Sequence, residues 1–377
     1  MRNTVSDIRE ELTAWAFLLP ALVVLGIFGL FPIFYALFVS LHKWKIKKGA
    51  FVGLDHYLRA VGEPSFLIYL GLAFAVYWLG TRIRSRLEDP KARWAAALAA
   101  VVGALWLGAS GLAGLLASGD PKLYNGLKVT LFYALGTIPI QLGLAMVLAT
   151  LLFGITRGTG GFRTAFFLPY VTPVIASAVV FRTLFSPHPS SVANRFWGWL
   201  GFEDQRWLHE SKSVVGLLLE GVGASEYPTW VDQIFPSLAL VSIILYNIWV
   251  YIGYDTVILL AGLSAIPRHY YEAASIDGAS NSQQFRHITL PLISPTLFFL
   301  SMVAVIGTFK AFNHIYMMRT AGALDSVDVV SIVIFDQIFQ YHNAGYASTL
   351  AFVLFLVILV LTIGQNRILG KRVFYGD

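Results

Sequence analysis

The sequence predicts an all-α, polytopic helical membrane protein of about eight transmembrane helices, and three observations carry that reading. Of 377 residues, 57% are hydrophobic and only 13% charged, against roughly 25% charge in soluble domains. The mean hydropathy is +0.68. The stretch AWAFLLPALVVLGIFGLFPIFYALFVSL, residues 14–41, runs 28 residues without a charge, whereas about 20 suffice for a helix to cross a bilayer.

The runs follow in order, each bounded by charges or turn residues. Arg2 and Arg9 precede the first, 14–41. It far exceeds the roughly 7–15 apolar residues of a signal peptide, so it reads as an uncleaved helix. The second, FLIYLGLAFAVYWLG at 66–80, has only 15 residues and leaves an interfacial or re-entrant segment open. Its partner at 94–118 is long, as are the runs at 125–153, 162–185, 236–262, 291–318 and 347–366. The cations of TRIRSRLEDPKAR and those of the carboxyl end, Arg367, Lys371 and Arg372, place both termini on the cytoplasmic side, although KWKIKK at 43–48 opposes this and the bias is slight. Two large polar regions then face opposite compartments, 186–235 outside and the loop 263–291 inside.

Several functions are excluded. The net charge of +6 comes from cations beside apolar runs, which the positive-inside effect explains without nucleic acid. With no cysteine there is no disulfide, Cys-based zinc site or thiol chemistry. No GxxxxGK[ST] loop is present to hold ATP. The glycine-rich GITRGTGG at 154–161 lacks the lysine and reads as a turn. No HExxH or GxSxG spacing marks an enzyme.

The inner loop holds YEAASIDGASNSQQFRHITLP, 271–291. Pro267 suits a first helical turn, good helix formers follow, and Gly278 accepts a turn at positive φ. A second short helix from Ser280 to His287 and a new span from Pro291 complete it. Ala273 and Ala274 allow close backbone approach, while Glu272 and Asp277 offer charge to a basic partner. An interfacial helix resting on headgroups is the plainer alternative.

Glu-Ala-Ala at 272–274, Gly278 and ITLP at 288–291 resemble the cytoplasmic coupling loop of permease subunits in binding-protein-dependent ABC sugar importers, of the maltose-transporter membrane-subunit type. FVGLDHY (51–57), FRTAFFLPYVTPVIASAVVFRTLF (162–185), SVANRFWGWLG (191–201), TFKAFNHIYMMRTAG (308–322) and AGYASTLAFVLFLVILVL (344–361) are similar to further segments of that family. About three quarters of the chain is covered. Two departures stand out. Residues 66–118 read as an inserted transmembrane hairpin, and TAGALDSVDV (320–329) replaces a Gly-Gly-Pro turn. The organisation is therefore 1–65 (amino-terminal segment, first span and outer loop), 66–118 (the hairpin) and 119–377 (the core importer domain of a six-helix fold).

The resemblance implies a subunit that forms half of a pathway in a prokaryotic inner membrane and is not itself an enzyme. Its implied partners are a second homologous permease, a dimer of ABC ATPase subunits, a soluble solute-binding protein docking on 186–235, the lipid bilayer and a carbohydrate substrate. ATP and Mg are used by the ATPase subunits, and no cofactor is expected in this chain. Glu272, Ala273, Ala274, Asp277 and Gly278 are the implied ATPase-coupling residues. The alternative class is a secondary transporter or channel, which would leave this loop unexplained and would transport alone.

Polar residues inside apolar runs mark function by default. Asn247, Tyr251, Tyr254 and Asp255 follow i, i+4, i+7, i+8 and share a helix face. Phe309, Lys310, Asn313, His314 and Tyr316 cluster over two turns, and Thr130, Tyr133, Thr137 and Gln141 form a third stripe that serves packing equally well. Amide, tyrosine and ring groups suit a neutral sugar. Asn313 and Phe312 match the part of the family's sequence that lines the sugar site. Asn247, Tyr251, Tyr254, Lys310 and Tyr316 complete the expected substrate-binding set. Lys310 raises an anionic substrate such as a glycerol phosphate ester, and counting along the helices places it at a different depth from Asp255.

Overall fold

The computed structural model describes residues 4–154, 159–224 and 226–374. Arg2, Arg157 and half of the turn GITRGTGG, residues 155–158, lie outside them. Helix α1 (Thr4–Val24) continues through a π-helical turn (Leu25–Leu30) into α2 (Phe31–Ser40). An antiparallel hairpin, β1 (His42–Trp44) and β2 (Lys48–Phe51), absorbs the lysines of KWKIKK. Then come α3 (Asp55–Val61), α4 (Ser65–Arg86), α5 (Pro90–Ser118) and α6 (Pro121–Phe153). The next run is split into α7 (Thr159–Val171) and α8 (Val174–Leu184). Short helices α9 (Val192–Trp199), α10 (Val214–Gly221) and α11 (Trp230–Ile234) cross the polar segment 186–235, and α12 (Leu238–Ser264) follows. The inner loop folds as α13 (Arg268–Ile276) and α14 (Asn281–Gln284), then α15 (Leu290–Leu292) leads into α16 (Ser294–Phe309). The chain ends with α17 (Asn313–Met318), α18 (Val330–Phe339) and α19 (Ala344–Ile368).

Among the described residues five helical segments are long and apolar enough to cross a membrane, or up to seven if each of two bent pairs counts as one span. All eight expected runs lie on helices. The second is longer than its apolar core, because α4 extends to 22 residues through Arg82, Arg84 and Arg86; it is not among the five. The run 162–185, expected as one span, bends by 92°. Pro173 removes the amide that would continue the ladder and caps α8 with an extended ψ of 120°. The run from 291 bends by 62° at Ile293, between Pro291 and Pro295.

The chain folds as two compact units, residues 1–121 with 334–353 and residues 122–333 with 354–377. In the first, α4 and α5 pair antiparallel. A Cβ on Gly80 would lie 2.0 Å from the Cβ of Ala100, and one on Gly111 2.8 Å from that of Tyr69. Small residues thus let the two backbones approach, as helices packing in lipid require. Fully buried Tyr346 donates to Asp120 Oδ2 at 2.5 Å, with the Arg59 guanidinium 4.5 Å over its ring.

In the second unit α12 is the centre. Of its apolar window 61% is buried, against 6% of the first span, Glu10–Ser40. One core gathers Tyr133, Leu240, Ile243, Tyr246, Ile315 and Ile332 around the amino-terminal half of α12. Another gathers Ala145, Ala149, Leu259, Leu263, Ile293 and Leu300 around its carboxyl-terminal half. Lipid tails are as apolar as these side chains, so close packing rather than escape from water holds the helices together. The segment 186–235 is tied by buried polar groups. Asn194 Oδ1 accepts from Trp207 Nε1 at 2.6 Å and from the Gln205 amide at 2.9 Å. Asp232 accepts from the Ser213 amide and hydroxyl at 2.9 and 2.7 Å. Burial opposes its charge, yet the Ser213 donors together with the Tyr227 hydroxyl and the Lys212 charge outweigh burial and hold the carboxyl below its ordinary value.

Candidate functional site

A cavity of about 350 Å³ opens in the second unit against one face of α12. The i, i+4, i+7, i+8 spacing aims Asn247, Tyr251, Tyr254 and Asp255 into it. Across from them α16 stops at Phe309, and Phe312 takes φ −142° and ψ −61° before α17 restarts at Asn313. Such a break is tolerated at membrane depth where the backbone lines a cavity. Lys310, Phe312, Asn313 and His314 all border this one.

Six of the seven expected substrate residues therefore line one space. Tyr316 does not: three residues beyond Asn313, it stacks on Phe312 with ring centroids 5.2 Å apart. Phe309 is buried in packing. Of the stripe on α6, only Gln141 reaches the cavity. Thr130 donates to the Gly126 carbonyl and accepts from the Val330 amide, Tyr133 bonds His314 Nε2 at 2.8 Å, and Thr137 is buried. Packing claims those three. Lys310 and Asp255 both line this cavity. No ion pair joins them among the described residues.

The polar wall is cross-linked. Gln141 Nε2 donates to Asp255 Oδ2 at 2.5 Å, and Asn247 Nδ2 donates to Gln141 Oε1 at 3.3 Å. This chain joins α6 to α12 and fixes the amide of Gln141. The aromatic wall holds a residue that the helix periodicities missed. Tyr170 stacks on Tyr254 at 4.5 Å and meets Tyr251 edge-on at 5.7 Å. Its position depends on Gly253, where an added Cβ would lie 1.7 Å from the Phe166 carbonyl oxygen. The missing side chain lets α7 lie on α12, and Tyr170, one turn after Phe166, reaches the cavity. The available signal was its place between Pro169 and Pro173, where a helix break is expected.

The loop after α12 is built differently. Helix α13 has no buried residue, and Glu272, Ala273, Asp277 and Gly278 are exposed, Ala274 less so. Gly278 takes φ +80°, and Ser280 with Gln283 forms a reciprocal cap on α14. Ile276 is 86% exposed. The loop is nevertheless seated: the Tyr271 ring packs on the core that contains Leu263, Ile293 and Leu300, and its hydroxyl bonds Thr289 Oγ1 at 3.0 Å. Leu300 also lines the cavity, so one packed column connects α13 to that space.

Residues 156–375 match the family described as binding-protein-dependent transport system inner membrane component. The chain is 32% identical over 249 residues, 65% of its length and 72% of the relative's, to the probable ABC transporter permease protein YesP of Bacillus subtilis (strain 168). It is 30% identical, over 67% of its length and 72% of the relative's, to the arabinooligosaccharides transport system permease protein AraP of Halalkalibacterium halodurans. In fold it is similar to a chain of a bacterial ABC transporter involved in the import of the acidic polysaccharide alginate, with TM-score 0.65, 19% identity and coverage of 97% and 98% of the two chains.

Proposed function

The chain belongs to the family of binding-protein-dependent transport system inner membrane components, and on that premise we propose that it forms half of a pathway for a carbohydrate delivered by an external solute-binding protein. The observation that carries this reading is the cavity on α12, whose volume falls in the ~300–1,000 Å³ range of small-molecule sites. It offers the amides of Asn247, Asn313 and Gln141 beside the rings of Tyr170, Tyr251, Tyr254 and Phe312. Amides donate to and accept from hydroxyls, and aromatic faces accept the C–H faces of a sugar ring. The arabinooligosaccharide relative points to the same class. The cavity takes the sugar in passage, a homologous permease supplies the other half, and the inner membrane of a prokaryote is its place.

Energy comes from two ATPase subunits that bind ATP and Mg. Their surface takes the loop 263–291, with Glu272, Ala273, Ala274, Asp277 and Gly278 in contact. Helix α13, none of whose residues is buried, leaves its surface open to such a partner. Closure of the ATPase dimer moves α13, and the column through Tyr271 and Leu300 carries the movement toward the cavity. The segment 186–235 receives the binding protein.

Lys310 supports a second reading. It lines the cavity without an ion pair among the described residues, which suits an anionic polyol such as a glycerol phosphate ester. Substrate-stimulated ATPase activity of the reconstituted complex, measured across mono-, di- and trisaccharides and glycerol phosphate, tests both. Stimulation by neutral sugars, lost in Asn313→Ala and Tyr251→Ala with assembly intact, is the expected result. Stimulation by the anion alone, lost in Lys310→Ala, replaces the neutral sugar with the anion, and unchanged transport in Asn313→Ala and Tyr251→Ala moves the site elsewhere.

A further inference from the structure

We propose that the tip of the α4–α5 hairpin is a binding site for the phosphate headgroups of anionic phospholipids. Five cations, Arg82, Arg84, Arg86, Lys91 and Arg93, fall within twelve residues that contain only two acids, Glu88 and Asp89. Neither acid forms an ion pair among the described residues, and Asp89 spends a carboxylate oxygen capping α5 through the Lys91 amide at 3.0 Å. The tip therefore keeps its positive charge.

Two tryptophans stand among the cations. The Arg82 guanidinium lies 4.0 Å over the Trp78 ring, and that of Arg84 lies 5.7 Å from the Trp94 ring. Both rings are exposed, Trp94 at 73%. Trp78, Arg82 and Arg86 follow i, i+4, i+8, so ring and cations form one stripe. Exposed tryptophan is what the boundary between acyl chains and headgroups favours.

The rest of the hairpin selects the ligand. Only 11% of the apolar window of α5 is buried, and Leu98, Leu105 and Trp106 present 67–68% of their surfaces. The hairpin thus turns a broad apolar flank outward. Its arginines begin one helical turn, about 5 Å, after Trp78, which sets them at the headgroup layer and not out in water, where a nucleic acid or an acidic peptide would bind. Guanidinium forks match phosphate oxygens in pairs. A cation near an anionic membrane surface is worth about 1 kcal/mol, a factor of about five, so three arginines account for on the order of a hundredfold preference.

The full chain, extracted from membranes doped with equal amounts of phosphatidylglycerol and phosphatidylcholine, tests this by native mass spectrometry. The chain retains phosphatidylglycerol preferentially. R82Q/R84Q/R86Q loses that preference by tenfold or more, and K45Q/K47Q/K48Q, with the same charge removed elsewhere, keeps it. Equal retention of the two lipids, an unchanged preference in the arginine variant, or an equal loss in the lysine variant overturns the proposal. A second measurement leaves the arginines in place. The chain contains no cysteine, so a fluorophore on Ser85→Cys is a single reporter at the tip. Brominated phosphatidylglycerol quenches it more than brominated phosphatidylcholine at equal mole fraction; equal quenching contradicts the site.

Discussion

Helices α12 and α13 are consecutive in the chain and opposite in construction. Buried residues make up 61% of the apolar window of α12, which carries a cross-linked polar wall, whereas α13 buries none of its residues. The first is complete within its own unit. The second has a defined shape, set by Pro267, Gly278 and the Ser280 cap, but no covering of its own. A helix that is rigid and bare, seated through one tyrosine, is suited to receive a push; a helix packed on most sides is suited to hold a site in register.

The largest expected effect comes from removing the approach on which the cavity depends. Gly253→Val places side-chain carbon against the Phe166 carbonyl, 1.7 Å from even a single Cβ. It should cost at least the ~1–3 kcal/mol of ordinary overpacking and should abolish transport by displacing Tyr170. Thermal unfolding in detergent together with uptake measures both, and a variant with normal stability and uptake breaks the claim that α12 is the closed half. On α13 the same reasoning predicts the reverse. Glu272→Lys should leave unfolding within about 0.5 kcal/mol of the parent, as for an exposed site, while co-purification of the ATPase subunit falls at least tenfold. Unfolding shifted well beyond that range would mean that α13 is not bare.

What was legible from residues alone divides along the same line. The helix of α13, the turn at Gly278 and the cap at Ser280 are local, written in neighbouring residues. The face of Asn247, Tyr251, Tyr254 and Asp255 is also local, since it needs only the helical repeat. Tyr170 was not legible, because its neighbours Tyr251 and Tyr254 lie on another helix and are met only through Gly253 and the 92° bend. Nor was the separation of Gln141 from Thr130, Tyr133 and Thr137: all four share a stripe, and only the position of α17 and Val330 decides which are consumed in packing.

Two smaller effects sharpen the contrast. Tyr271→Phe deletes the bond to Thr289 Oγ1 and should cost about 1 kcal/mol, seen as faster amide exchange across 268–289 with α12 unaffected. Exchange that rises equally in α12 would show the two halves to be one cooperative element. In the segment 186–235, the Ser213 donors, the Tyr227 hydroxyl and the Lys212 charge hold the Asp232 carboxyl below its ordinary value despite burial. The stability they contribute is therefore complete above the ordinary carboxylate range and is lost as pH falls through the lowered value. Asp232→Asn should flatten that acid limb of the unfolding curve, and an unchanged limb would remove Asp232 from the account.

The most direct test of the division between site and lever is ATPase activity of the reconstituted complex, with and without sugar and its binding protein, for Asn313→Ala beside Glu272→Lys. The account predicts that Asn313→Ala keeps basal activity and loses stimulation, whereas Glu272→Lys loses the ATPase subunits and with them both. Equal losses of basal and stimulated activity in Asn313→Ala, or full stimulation in Glu272→Lys, would contradict it.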